Sequence, residues 1–259
     1  MLVDSHCHLD RVDLTPYDAD FSKLVAATRD AGVDHMLCVS IDLESYPQML
    51  ALVEAYPEVS VSVGVHPNDY DRREPTVDEL VRLAAHPKNV AIGETGLDYF
   101  RTEGDLTWQR DRFRVHIRAA REAGKPLIIH TRDARDDTIE ILRQEQAADV
   151  GGVMHCFTET WDMAQAAMEM GFYISFSGIV TFKNADALRD VARRVPDERL
   201  LIETDSPYLA PVPYRGKPNE PRYVAQVAET IARLRGVETD VIVRQSRENF
   251  FRLFTAAQA

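Results

Sequence analysis

The 259-residue sequence is poor in cysteine, has no excess of basic residues and lacks any long apolar run. Its three cysteines are an odd number without a Cys-x-x-Cys pair, which excludes a disulfide framework and favours a reducing compartment. No run approaches the roughly 20 apolar residues that span a membrane. The N-terminus lacks the basic and apolar regions of a signal peptide. We therefore expect a cytoplasmic protein without a membrane partner.

The charge balance is acidic, with 42 Asp and Glu against 30 Lys and Arg and a formal net charge of −12. Phosphate binding favours Lys and Arg, so this balance argues against a surface coated for nucleic acid. It is compatible with a nuclease whose cleft is made locally positive by metal ions. Zincin spacing, a P-loop, a dinucleotide fingerprint and a Gly-x-Ser-x-Gly elbow are also absent, which argues against the corresponding enzyme classes.

Eight short, apolar and β-branched runs alternate with amphipathic helical patterns along the chain. The runs are residues 2–5, 33–39, 59–65, 90–93, 126–129, 152–154, 172–175 and 200–202. Strands that alternate with helices indicate a parallel sheet, and eight such units at this length are typical of a barrel. The sequence therefore predicts an α/β protein, a single-domain (β/α)₈ TIM barrel over residues 1–259.

The helical patterns between these runs are expected to face the core. Phe21, Leu24, Val25 and Thr28 show the i, i+3, i+4, i+7 spacing of one buried helix face. A last amphipathic segment, residues 240–254, predicts an extra C-terminal helix that packs on the barrel exterior.

Metal-ligating side chains recur where the predicted strands end. The six are His6, His8, Glu94, His130, His155 and Asp205. Strand side chains alternate between faces, and parity makes each of these the last inward-facing residue of its strand. Val90, Ile92 and Glu94, for example, are predicted to share the inner face of strand four. Ligands on strands one, four, five, six and eight surround a single cavity at the mouth of a barrel.

Four imidazoles and two carboxylates exceed what one tetrahedral catalytic ion requires. They suit two divalent ions bridged by Glu94, and mixed nitrogen and oxygen donors fit Zn, Mn or Fe better than Mg. Such a pair lowers the pKa of a shared water and stabilises the attacking and leaving oxygens of a displacement. Asp205 can coordinate through one oxygen and accept a proton through the other. Glu94 and Asp205 are thus the predicted catalytic residues of a metal-dependent hydrolase.

Five residues at the predicted mouth are candidate substrate contacts: His66, Arg132, Tyr208, Arg215 and Lys217. His66 could contact a phosphate or simply line the rim, and Arg132 could hold a phosphate or begin a helix with a salt bridge. Arg215, Lys217 and Lys183 form the basic patch within reach, with solvated loop charges as the alternative.

Several neighbouring residues have two interpretations. Glu203 could be the partner of a ligand imidazole or half of a buried ion pair. Tyr99 or Phe100 could stack a base or be buried. Cys7 and Cys156 each adjoin a predicted ligand, but alternation points them outward, as small residues buried against the helices.

Three further histidines lie away from the predicted strand ends. His35, His86 and His116 are expected to be structural.

Six segments, in order along nearly the whole chain, resemble the signatures of the TatD family. They are residues 4–10, 63–67, 92–99, 126–132, 155–157 and 203–209. The resemblance implies a barrel of the metallo-dependent hydrolase superfamily, a magnesium- or manganese-dependent deoxyribonuclease that often acts as a 3′ to 5′ exonuclease. The six ligand positions above match those of the family. We therefore expect two divalent ions (Mg, Mn or Zn), DNA or a small phosphodiester as substrate, and no obligate protein partner.

Two other functions remain open. An amidohydrolase-type relative would cleave a C–N or C–O bond, as in a lactone or cyclic amide. Such barrels often bridge their metals with a carboxylated lysine at the end of strand four. Glu94 occupies that position here, and Lys88 precedes the strand at the opposite end, which favours the TatD-like subset. The third possibility is a non-catalytic metal-binding barrel, against which the complete ligand set argues.

Overall fold

The computed structural model describes residues 1–69, 71–100, 102 and 104–257. Eight parallel strands pair in chain order within one sheet. They are β1 Leu2–Cys7, β2 Val33–Cys38, β3 Val59–Val63, β4 Asn89–Asp98, β5 Leu127–Arg132, β6 Gly152–Met154, β7 Tyr173–Phe176 and β8 Leu200–Ile202. An isolated bridge between Cys7 and Ser206 brings the end of the sheet back to β1. The predicted single-domain (β/α)₈ barrel is thereby confirmed.

A helix lies in every connection between consecutive strands. The helices of the described residues are α1 Phe21–Asp30, α2 Tyr46–Val53, α3 Val77–Ala84, α4 Thr107–Ala123, α5 Arg135–Gln144, α6 Trp161–Glu169, α7 Asp186–Arg194, α8 Val224–Arg235 and α9 Thr239–Leu253. The predicted stripe of α1 is buried along its length, from Phe21 to Thr28. None of the helices that the structure describes combines the length and the apolar character that crossing a bilayer requires.

Apolar side chains form two clusters, one on each face of the strands. The larger cluster lies between the strands and the helices and includes Leu127 and Ile129 with Ile117 of α4. The smaller fills the barrel interior, where Ile128 packs with Val153 and neighbouring residues. This division follows from strand alternation, which sends successive side chains to opposite faces.

Helix α9 does more than the predicted packing on the barrel exterior. It packs against α8, β1 and β8. Its Phe250 and the following Phe254 also enter the interior cluster with Val3 and Leu37. The exterior prediction was therefore incomplete. These rings cover apolar side chains that would otherwise meet water at the N-terminal end of the strands, which favours burial.

Strand β4 does not follow the simple alternation that the sequence predicts. Val90 and Ala91 both belong to the interior cluster, whereas Ile92 belongs to the outer one. The predicted shared face of Val90, Ile92 and Glu94 was therefore wrong. The pairing with β3 shifts register between Asn89 and Ala91, and the pairing with β5 shifts again between Ile92 and Thr95. These irregularities change which residues face inward. Glu94 consequently reaches the barrel mouth by a different route from the one that parity suggests.

Candidate metal centre

The six predicted ligand residues converge at the C-terminal ends of the strands. Five of them, His8, Glu94, His130, His155 and Asp205, line a cleft of about 490 Å³. The sixth, His6, lies beneath with its Nε2 atom 3.3 Å from that of His8. Segments far apart in the sequence thus contribute to one pocket, as the closed order of the strands requires.

Glu94 lies at the centre of this pocket and is nearly inaccessible, its side chain being 3% exposed. Its Oε2 atom lies 3.4 Å from the Nε2 of His6 and 3.8 Å from that of His8. Its Oε1 atom lies 2.8 Å from the Nε2 of His155 and 3.1 Å from the Nδ1 of His130. The two carboxylate oxygens therefore face two groups of nitrogen donors, which adjoin where the His6 and His155 rings stack with centroids 3.8 Å apart.

The first group comprises His6, His8 and Asp205. The Oδ1 atom of Asp205 lies 3.4 Å from the Nε2 of His8 and 3.7 Å from the Nε2 of His6. Facing donor atoms at these distances could hold a metal ion. The Asp205 side chain is 14% exposed, so it is the part of this group that meets the cleft.

The second group includes a residue that the sequence suggested only as a substrate contact. His66 joins Glu94 and His130 in a set of donors that could hold a metal ion. Its Nε2 atom lies 3.4 Å from Glu94 Oε1. The signal was present in the sequence, because His66 also follows a strand end, and the rule that selected the six applies to it equally.

Hydrogen bonds behind the imidazoles determine which nitrogen faces the pocket. His8 Nδ1 donates to the carbonyl of Val39 at 2.9 Å, which leaves its Nε2 toward Asp205. His130 Nε2 donates to Asp98 Oδ2 at 3.1 Å, which leaves its Nδ1 toward Glu94. Such partners fix the tautomer and the ring orientation of metal-binding histidines.

Asp98 was missed by the sequence reasoning, although it lies in the same segment as Glu94. Asn68 donates to its Oδ2 atom at 2.8 Å, and its hydrogen bond with His130 lowers the pKa of Asp98 to about 2 despite the opposing effect of burial. An ionised Asp98 can therefore accept a hydrogen bond from the Nε2–H of His130.

Glu203 is placed as the partner of a predicted ligand imidazole. Its Oε1 atom accepts hydrogen bonds from His155 Nδ1 at 3.2 Å and from the backbone N–H of Cys156 at 2.7 Å. This arrangement matches the first of its two predicted interpretations.

A glycine permits the close approach of β4 and β5 at the pocket. Gly96 has a φ of 137°, and a Cβ built on it would lie 1.9 Å from the carbonyl oxygen of His130. A larger residue would therefore displace the strand that carries His130.

The seam between β1 and β8 holds the first group in register. Asp205 donates its backbone N–H to the carbonyl of His6 at 2.9 Å, and His8 donates to the carbonyl of Ser206 at 2.8 Å. Beneath them Asp4 accepts hydrogen bonds from the N–H and the hydroxyl of Thr204. Burial raises the pKa of Asp4 to about 8 in spite of these hydrogen bonds.

The ionisable groups of the pocket lie so close together that the pKa of each depends on the charges of its neighbours. Burial opposes ionisation of Glu94, but the histidines around it, His155 first, hold its pKa well below the usual range. Burial also opposes protonation of His155, yet Glu94 and Glu203 raise its pKa well above the usual value. Burial lowers the pKa of His6, and the nearby His155 adds to the effect.

Two buried nitrogens in the described structure, His6 Nδ1 and His155 Nε2, lack hydrogen-bond partners. An unpaired buried polar atom costs about 1–3 kcal/mol. The His155 atom nevertheless lies within ion-pair distance of Glu94 Oε1, at 2.8 Å. Nitrogen and carboxylate donors directed at one another in this way fit divalent cations.

The predicted substrate contacts divide into two sets. Arg132 and Tyr208 line the cleft together with Arg11, which the sequence reasoning missed. Arg215 and Lys217 lie in the loop after β8 but not on the cleft wall, and the Arg215 guanidinium stacks on Phe182 at 3.8 Å. Contact between these two residues and substrate stays a prediction.

The two aromatic candidates are placed differently from each other. Tyr99 donates its hydroxyl to Asp137 at 2.6 Å and packs against the outer core. Phe100 is 48% exposed, and the Arg132 guanidinium lies over its ring at 3.6 Å.

One of the two cysteine predictions is confirmed. Cys7 is buried in the outer cluster. Cys156 instead lines the cleft, so its predicted burial against the helices was wrong. Strand β6 ends at Met154, and Cys156 has a left-handed φ of 42°, so strand alternation no longer applies there.

The remaining histidines lie outside the pocket. His116 is buried and accepts a hydrogen bond from the N–H of Val65 at 2.9 Å. His35 contacts Ser60 at 2.9 Å at the opposite end of the barrel. His86 follows α3, where its Nδ1 accepts from the N–H of Lys88.

Known proteins resemble this chain over nearly its whole length. Residues 3–255 match the family described as TatD related DNase. The uncharacterized metal-dependent hydrolase YcfH of Escherichia coli (strain K12) is 51% identical over 98% of this chain and 95% of its own. The 3′-5′ ssDNA/RNA exonuclease TatD of Edwardsiella piscicida is 35% identical over 93% and 95%. The crystal structure of YjjV, a TatD homolog from Escherichia coli K12, superposes with a TM-score of 0.90 at 27% identity, covering 98% of each chain.

Proposed function

Because the chain belongs to the TatD family of metal-dependent hydrolases, we propose that it hydrolyses phosphodiester bonds and degrades DNA from a 3′ end. The observation that carries this proposal is the position of Glu94, whose two oxygens face separate groups of histidines. A relative of 35% identity is named a 3′-5′ ssDNA/RNA exonuclease, which supports a nucleic acid as the substrate.

Two divalent ions, Mg, Mn or Zn, are the proposed cofactors. His6, His8 and Asp205 would hold one ion, and His130 and His155 the other, with Glu94 shared between them. Bound there, the ions would lower the pKa of a water and stabilise the negative charge that develops on the attacked phosphate.

The protein's own side chains have separable roles in this proposal. Asp205 orients the attacking water and accepts its proton, since its carboxylate is the part of the first group that reaches the cleft. Arg132, Tyr208 and His66 contact the substrate from the cleft wall. Glu203 and Asp98 hold His155 and His130 in orientation.

The wider setting follows from the same proposal. We propose a cytoplasmic location, DNA or a small phosphodiester as the partner of the site, and no obligate protein partner. Arg215 and Lys217 extend the substrate surface along the loop after β8.

A nuclease assay tests the proposed function. The purified chain, supplied with Mn²⁺ or Mg²⁺, should shorten single-stranded DNA labelled at its 5′ end one nucleotide at a time, and chelation should stop the reaction. The same DNA with a blocked 3′ end should resist degradation. Metal content should approach two ions per chain.

Other outcomes select among the alternatives. If the metal-loaded protein leaves nucleic acids and simple phosphodiesters intact but opens lactones or cyclic amides, the amidohydrolase-type function is correct. Inertness on both substrate panels would support a non-catalytic metal-binding barrel.

A further inference from the structure

Two arginines contribute the positive charge of a cleft in an acidic protein. Among the residues that the structure describes, Arg11 and Arg132 are the lysine or arginine side chains that line it. The chain as a whole carries a net charge of −12. A polyanionic substrate would therefore meet positive side chains at these two points rather than over the surface generally.

The fold places these arginines on opposite sides of the mouth. Arg11 ends the short turn Leu9–Arg11 directly after β1, and Arg132 is the last residue of β5. In a barrel of eight strands paired in chain order, β1 and β5 lie across from each other. The Glu94 cluster belongs to the same cleft wall.

The Arg11 guanidinium lies near two carboxylates but beyond hydrogen-bond distance of both. Its nearest carboxylates are Asp42 at 3.6 Å and Asp10 at 3.7 Å, both longer than a hydrogen bond. Asp42 itself is buried and accepts a hydrogen bond from the N–H of Ser45 at 2.6 Å, so its carboxylate is held in place. The Arg11 side chain is 33% exposed and keeps its donors for a ligand.

Arg132 is positioned by stacking on an aromatic ring instead of by carboxylates. Its guanidinium lies flat over Phe100 at 3.6 Å, and it forms no ion pair within the described ranges. Stacking fixes the plane of the guanidinium and leaves its edge available for phosphate oxygens.

Because Arg11 and Arg132 lie on opposite sides of the mouth, we infer that they bind two different phosphates of the substrate strand on the 5′ side of the scissile phosphodiester. The site would then take an oligonucleotide in preference to an isolated small diester. This inference rests on the proposed function. It assigns Arg11 as a specificity-determining residue, and it gives Arg132 a flanking phosphate rather than the one attacked.

The salt dependence of catalysis tests the two contacts directly. Each phosphate contact to a single strand contributes a slope of about −0.7 to the logarithm of affinity against the logarithm of salt concentration. For a decathymidylate, the slope of log kcat/KM against the logarithm of salt concentration should become shallower by about 0.7 in Arg11→Gln and by the same amount in Arg132→Gln. The KM for this oligonucleotide should rise about tenfold, the size of one charge-assisted contact. The rise for bis(p-nitrophenyl) phosphate, which has no flanking phosphates, should be smaller.

Two further variants make the result specific. Arg72→Gln is the matched control, because Arg72 also lies near Asp42, at 3.9 Å, but does not line the cleft. It should keep the wild-type slope. Arg11→Lys, which preserves the charge, should restore most of the slope that Arg11→Gln loses.

The inference fails if Arg11→Gln and Arg72→Gln are indistinguishable on the oligonucleotide while the wild-type protein degrades it. It also fails if Arg11→Gln raises KM equally for both substrates, which would indicate a structural role. A wild-type protein inert on both substrates would instead overturn the proposed function, and this inference with it.

Discussion

The two ends of the barrel are built on opposite principles. At the C-terminal mouth, buried imidazoles and carboxylates face one another within 4 Å, and two of their nitrogens have no hydrogen-bond partner in the described structure. At the N-terminal end, Phe250 and Phe254 cover an apolar interior. Burying polar groups without partners costs stability, whereas burying aromatic rings contributes it. The bottom of the barrel therefore stabilises the fold, whereas the mouth brings together donor groups that suit divalent cations.

The largest effect should come from the centre of the mouth. Glu94→Gln removes the carboxylate charge that both groups of histidines face, and activity should fall about 1,000-fold, equivalent to roughly 4 kcal/mol of transition-state stabilisation. Glu140→Gln, on the exposed side of α5, is the matched control and should retain activity. Steady-state kinetics on single-stranded DNA measures both. Activity of Glu94→Gln at the wild-type level would contradict the role of Glu94.

The bottom of the barrel should respond in stability instead. Phe250→Ala opens a cavity beneath Val3 and Leu37, and the free energy of unfolding should fall by about 3–5 kcal/mol. Denaturant titration followed by circular dichroism measures this change. Metal affinity and activity per folded molecule should be nearly unchanged. A large loss of metal affinity in the folded variant would show that the two ends are not independent.

His35, at the bottom of the barrel, should make the stability of the fold depend on pH. Burial lowers the pKa of His35 from 6.5 to about 4. The unfolded chain therefore takes up a proton near pH 6.5 while the native protein does so only near pH 4, and stability declines as the pH falls between these values. The loss should total about 3 kcal/mol.

Denaturant titrations at a series of pH values test this linkage. His35→Gln should flatten the decline between pH 6.5 and pH 4. An unchanged slope in His35→Gln would assign the acid sensitivity to other groups.

A smaller effect is expected behind the mouth. Glu203→Gln weakens the hold on the His155 imidazole, and metal affinity should fall about 10–100-fold. Titration of the metal-free protein, followed by calorimetry, measures the change. Affinity equal to that of the wild type would mean that His155 is oriented without Glu203.

The sequence predicted correctly that the site residues converge, but it did not predict their local geometry. The positions of His130 and His155 after short apolar runs were enough to place them at the mouth. The path of β4 was not predictable, because the register shift between Ile92 and Thr95 depends on pairing with β5. Asp98, in the same strand, was missed for a related reason, since nothing in the sequence shows that its side chain reaches His130.

The pattern of residues by itself determined the barrel, the strand that carries each of the six donors and the end of the barrel at which they meet. Alternation and the closed order of eight strands require these features, whatever the side chains do in detail. Only the tertiary structure decided that the two oxygens of Glu94 face different histidines, that His66 joins them and that Phe250 closes the opposite end. Those features depend on distances between strands and helices remote in sequence, which are set by packing and have no local signal.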